Sequence, residues 1–206
     1  AVAAELGITV VPLTVRFGDE EMLDGVDITS EQFFKRLQRD PKHPTTAQPS
    51  PGQFREVYDR LVAEGATAIV SCHISSKLSG TFESARQASE GLSVPVHLVD
   101  SKLFSLALAT GTIEAAKAAR NGQPAEEVKA VADDTFRRTH VFITLETLEY
   151  LRRGGRLSRG QELVGSLLKV KPILTAEDGA VEAIGRIRTK PKALEEIVSR
   201  VADLRP

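Results

Sequence analysis

"ATAIVSCHISSKLSGTFESARQASEGLSVPVHLVD" occupies residues 66–100, and the order of its residue types decides the architecture. A short, nearly continuous apolar run up to Ile74 predicts a buried strand. A turn follows in which Ser75, Ser76, Ser79, Gly80 and Thr81 crowd together, with Ser84 just beyond, and "GTFESARQASEG" then predicts a helix. "VPVHLVD" is a second buried strand, ending at Asp100 before Ser101 and the long Ala-rich helical stretch 103–122. Strand then helix, repeated, implies right-handed crossovers and a parallel sheet. In such sheets ligands bind beyond the carboxyl ends of the strands. The turns at Ser75–Thr81 and at Asp100–Ser101 both lie on that edge.

Working towards the N-terminus, "SPGQFREVYDRLVAEG" opens with Ser50 as N-cap, Pro51 at the first helical position and Gln53 at the third, and closes on Gly65. "DPKHPTTAQPS" (40–50) before it is an extended polar loop. "TSEQFFKRL" starts another helix at Thr29, with Gln32 at the capping-box spacing. "ITVVPLTVRF" (8–17) alternates as a strand, and Pro12 pushes it towards a sheet edge. Residues 3–7 resemble the end of a helix, and the first residue is not Met, so the sequence is expected to start inside a longer chain.

Towards the C-terminus the helix "PAEEVKAVADDTFRR" is followed by a change of character. "THVFITLETLEYLRRGGRLS" predicts a strand and then a helix ending at Gly154 and Gly155. "VKPILTAEDGAVEAIGRIR" predicts two strands joined at Asp178 and Gly179, a hairpin signal, and a last helix covers 191–204. The expectation is an α/β protein: a parallel-sheet α/β domain over 1–137 and a smaller α+β domain over 138–206.

Composition narrows the function. The 206 residues hold 27 Lys and Arg against 28 Asp and Glu, which removes the strongly basic field of a non-specific nucleic-acid binder. Cys72 is the single cysteine, so no intrachain disulfide is possible and a cytoplasmic location is expected. No apolar run approaches the roughly 20 residues that span a bilayer, and no secretory leader is visible. The four histidines (43, 73, 97 and 140) show no metal-ligand spacing, and both G-x-x-x-x-G-K-[ST] and G-x-G-x-x-G are missing, so neither metal nor nucleotide cofactor is expected. Cys72 and His73, adjacent in a strand, should face opposite ways.

Two features carry possible chemistry. Taken singly, "TTAQPS" and "SSKLSGT" are each first a turn leading into a helix cap. Together they suggest one ligand, because hydroxyls beside helix N-termini can grip a carboxylate without a cation. Ser79 as the nucleophile of a small esterase or acyltransferase, with His43 brought into range by folding, is the alternative, although "LSGT" lacks the first glycine of a nucleophile elbow. The second feature is "LRRGGRLSRG" (151–160), with Arg152, Arg153, Arg156 and Arg159, echoed by Arg186 and Arg188. It is either a solvated helix end or a docking patch for an acidic partner.

These stretches in this order resemble one family. "TTAQPS" is similar to its T-S-Q-P-S loop, "ISSKLSGTFESA" to its I-S-S-x-L-S-G-T-x-x-S-A segment, "VDS" (99–101) to its strand-end Asp-Ser, and "LEYLRRGGRLS" to its L-x-Y-L-x-x-G-G-R-[IL] segment. The sequence looks like a DegV-family protein, of the bacterial fatty-acid-binding group that includes the carrier subunits of fatty acid kinase. That resemblance implies a non-catalytic lipid-binding protein with a long-chain fatty acid held between its two domains. Its carboxylate would be bound by Thr46, Ser79 and Gly80, and a partner kinase would phosphorylate it to an acyl phosphate. It also implies that Arg156, Arg159 and Arg188 lie on a basic surface facing that kinase. Ala47 stands where the family usually has a serine. A first strand before residue 1, and second-domain sequence after residue 206 carrying a headgroup histidine, are expected from the same resemblance.

Overall fold

A computed structural model describes residues 2–157 and 170–204. In chain order the elements are α1 (Val2–Leu6), β1 (Thr14–Phe17), β2 (Glu20–Leu23), α2 (Ser30–Leu37), β3 (Thr45–Ala47), α3 (Pro51–Ala63), β4 (Ile69–His73), α4 (Thr81–Ser89), β5 (Val96–Asp100), α5 (Leu106–Arg120), α6 (Ala125–Arg138), β6 (Phe142–Thr144), α7 (Glu149–Arg153), β7 (Lys171–Glu177), β8 (Ala180–Ile187) and α8 (Lys190–Asp203). The fold is mixed α/β, with a parallel pair at its centre.

Strands β4 and β5 pair in parallel from Ile69↔Val96 to His73↔Asp100. Their two faces are segregated by the two-residue period of a strand. Ile69, Val96 and Leu98 pack with Phe54 and Tyr58 of α3 and with Ala85 and Ala88 of α4. Val70, Cys72 and Val99 pack on the opposite side with α5 and α6, through Ala107, Ala115, Ala118, Val128, Ala132 and Phe136. Both faces being covered explains why these strands are near-continuous apolar runs. Cys72 and His73 accordingly face opposite layers.

The caps form as their spacing predicts. Thr29 and Gln32 exchange side-chain bonds with each other's backbone N–H at the start of α2, and Ser50 and Gln53 do so at the start of α3, with Pro51 in its first turn. Gly65, with φ of 99°, follows the end of α3 as a left-handed stop. The Asp178–Gly179 pair turns β7 into β8, and β6 adds antiparallel to β7 on the other side. Helix α8 closes this sheet with Ala193 fully buried.

The N-terminal segment differs from expectation. Residues 8–13 are not in the ladder; β1 begins at Thr14, beyond Pro12, and is the central strand of a three-stranded antiparallel sheet ordered β2-β1-β3. Pro12 therefore removes no ladder bond and does not force β1 to an edge. Strand β3 lies inside the stretch expected to be a polar loop, because Thr45–Ala47 pairs with Arg16, Val15 and Thr14.

Candidate functional site

Strand β3 ends three residues before the N-cap of α3, so both ends of "TTAQPS" are fixed: Thr46 opposite Val15 in the sheet, Ser50 by its reciprocal cap. Thr46 is exposed on that strand, and Pro49 is buried behind it. Between them Gln48 reaches across to the second loop. Its amide nitrogen donates to Oγ of the buried Ser84 at 3.1 Å, and its side chain lies over Gly80, the residue capping α4, where any Cβ would collide with it. The two hydroxyl loops are thus brought together through Gln48, which the sequence reading did not single out. Ser79 sits beside this contact, its Oγ 2.7 Å from Thr81 Oγ1 and accepting the Thr81 N–H at 3.3 Å. The amides at the start of α4, like those of any helix start, have no partner within the helix.

The rest of the loop is held by its neighbours. Asp100, at the end of β5, accepts from Ser76 Oγ at 2.6 Å, from the Ser76 N–H at 3.2 Å and from the Lys102 N–H at 3.1 Å. Ser101 forms a tight local exchange with Leu103. Lys77 and Lys102 both pair with Asp178, and together they hold its carboxyl below the usual aspartate range. Lys77 and Lys102 are thereby directed to the hairpin tip.

His73 lies beneath the loop, 3% exposed, with its ring edge-on to Phe54 and Phe82. Its Nε2 is 2.9 Å from Ser71 Oγ, which accepts in turn from the Tyr58 hydroxyl at 2.9 Å. Burial pushes the His73 pKa down to about 4, against an opposing pull from Asp100, so the ring is neutral near pH 7. His43 stacks on Tyr150 of α7, ring centroids 5.5 Å apart. Ser79 therefore has a threonine hydroxyl for its neighbour, while His73 is engaged by Ser71 and His43 by an aromatic ring.

Among the basic residues, Arg152 and Arg153 pair with Glu149 within α7. Arg156 is exposed, yet its Nε donates to the Leu78 carbonyl at 3.1 Å, so it ties the hydroxyl loop to the segment after α7. Arg188 is exposed just beyond β8, and Arg159 lies outside the described residues. A cleft of about 320 Å³ lined by Asp100, Lys102, Asp133, Arg137 and Asp178, among others, lies at the hairpin tip, and its lining does not include Thr46, Ser79 or Gly80. Among the described residues no group of His, Cys, Asp and Glu is arranged to hold a metal ion, and no helix is long and apolar enough to cross a membrane.

A family model described as uncharacterised DegV-family proteins matches residues 1–205. The chain belongs to the DegV family. A DegV domain-containing protein of Halalkalibacterium halodurans is 39% identical over 204 residues, covering 98% of this chain and 71% of that protein. Among solved DegV structures, a fatty-acid-binding family member from Thermus thermophilus superposes with a TM-score of 0.89 at 38% identity, over 98% of this chain and 72% of that one. DegV of Bacillus subtilis, a fatty acid binding protein, gives a TM-score of 0.89 at 30% identity, with 98% and 72% covered. The fold class and family inferred from the four sequence stretches are those of these DegV structures.

Proposed function

We propose that this DegV protein is a non-catalytic carrier of long-chain fatty acids, binding the carboxylate with Thr46, Ser79 and the amide of Gly80. The ligand would lie between an α/β domain and an α+β domain divided near residue 138. The observation that carries the reading is the Gln48 bridge, which joins the loop after the Thr46 strand to the start of α4 through Ser84 and Gly80. Neutral donors suit such a ligand. Each buried methylene contributes about 0.8 kcal/mol, so a long acyl chain needs its headgroup oriented rather than strongly attracted. The fatty-acid-binding relatives from Thermus thermophilus and Bacillus subtilis support the same ligand class.

In this reading the carrier presents the carboxylate, in a reducing cytoplasm, to a separate kinase that converts it to an acyl phosphate, with no cofactor of its own. Arg188, with Arg159 and Arg156, would face that kinase. Because Arg156 also holds Leu78, Arg188→Glu is the cleaner test of docking: it should weaken phosphorylation of the bound acid while sparing acyl retention.

Native mass spectrometry of the protein expressed in bacteria, followed by denaturing extraction, tests the ligand. A stoichiometric fatty acid, reduced in Thr46→Ala and in Ser79→Ala, is the expected result. An empty protein that takes up neither oleate nor palmitate overturns the reading. Hydrolysis of an activated ester that disappears in Ser79→Ala would replace it with the esterase.

A further inference from the structure

The turn of the β7–β8 hairpin touches the hydroxyl loop at two chemically different points. The first is buried: Ser75 Oγ donates to the Gly179 carbonyl at 2.6 Å. A Cβ on Gly179 would lie 2.5 Å from that oxygen, and the residue has φ of 83°, so the close approach and the turn both require glycine. Ser75 is also the internal anchor of the loop. Its Oγ accepts the Lys77 N–H at 3.2 Å, and its carbonyl accepts those of Leu78 and Ser79 at 2.9 and 3.1 Å. The second point is exposed: Asp178 receives Lys77 Nζ at 2.7 Å and Lys102 Nζ at 3.1 Å, drawing the turns after β4 and β5 to the same carboxylate. Beneath both, Leu78 and Phe104 pack against Leu148, Leu174 and Val181. An Asp-Gly pair makes a hairpin turn without any such contacts, so they are additional to closing the hairpin.

We propose that the Asp178–Gly179 tip is a clasp that positions the 75–81 loop, with Ser75 as its pin and Asp178 as its guide, and that fatty acid enters and leaves by its opening. The second half rests on the fatty-acid reading of the Ser79–Gly80 turn. The two contacts differ in strength. A buried hydrogen bond whose loss strands a carbonyl outweighs exposed ion pairs, which are weak and screened by salt.

The test is amide hydrogen exchange at residues 77–79 of the delipidated chain, alongside release of bound cis-parinaric acid. Asp178→Asn keeps a side chain that tolerates the left-handed φ of 45° at this position. It should speed exchange at 77–79 about two- to fivefold at low salt and match the wild type at high salt. Ser75→Ala also removes the acceptor of the Lys77 N–H, so it is read at 78 and 79, whose acceptor is the retained Ser75 carbonyl, and should speed exchange there about tenfold or more at any salt. Exchange within β4 and β5 should stay unchanged in both, whereas a general loss of stability would accelerate it there too. Release of the probe should follow the same order. Unchanged exchange at 77–79 overturns the clasp, and Asp178→Asn alone decides if Ser75→Ala does not fold. Faster exchange with unaltered release overturns only the route for the ligand. A wild-type chain that takes up no probe removes the fatty-acid reading, while the exchange data still decide the clasp.

Discussion

Gly80 and Gln48 are fitted to each other, and the fit gives a measurable coupling. Gly80→Ala must displace the Gln48 amide, breaking its bond to the buried Ser84 hydroxyl, at a cost of about 1–2 kcal/mol. In a Gln48→Ala background the same substitution should cost close to nothing beyond its cap preference, so a double-mutant cycle by urea unfolding should show strong non-additivity. The glycine itself was legible from its place in "LSGT". Gln48 was not, because its bond spans 36 residues and leaves no local spacing to detect. His73 offers a second test. Its pKa is about 4 in the folded chain against an ordinary 6.5, so the unfolded chain binds more protons between those values. Stability present above about pH 6.5 should therefore fall as pH drops towards 4, with His73 contributing up to about 3 kcal/mol of the loss. In His73→Gln the acid-side slope of the unfolding free energy should flatten in that window, and an unchanged slope would assign it to carboxylates.

At the level of elements, α5 and α6 approach closely along small residues, with Gly111 of α5 placed directly against the Phe136 ring. Gly111→Ala gains about 1 kcal/mol of helix propensity, yet it drives a methyl into a rigid ring, and overpacking of this kind costs about 1–3 kcal/mol. A net lower thermal midpoint is expected, and a raised one would mean that the helices can move apart freely. The start of α5 also shows where local pattern stops being informative. Apolar residues from Leu103 suggest a helix there, but Lys102 and Ser105 have φ of 54° and 56°, and the helix begins only at Leu106. Such a conformation at Ser105 is costly for a residue with a Cβ and is sustained by its surroundings, not by sequence-local preference. Strand β3 escaped notice for a different reason: three residues between prolines are too few to show a period, and pairing with β1 alone makes them a strand.

For the whole molecule, the parallel pair was the most legible part, because strands covered on both faces must be apolar throughout and their carboxyl-end turns stand out by contrast. The contacts that join the hairpin tip to those turns were invisible, since Ser75 and Gly179 are 104 residues apart. A ligand held at this site by the folded chain alone must stabilise the fold. Palmitate at 100 times its dissociation constant should raise the unfolding free energy by about 2.7 kcal/mol, and Ser79→Ala should need more ligand for the same gain. No shift at any concentration would contradict binding to the folded state. One further feature makes such measurements simple. The lone thiol, Cys72, is on the α5–α6 side of the sheet, where burial pushes its pKa up to about 11. At neutral pH it therefore offers about a hundredfold fewer thiolates than an ordinary cysteine. Cys72 is half-buried there, so its rate of reaction with a thiol reagent becomes a native clock, slow in the closed fold and faster when the central layers part, needing no introduced label.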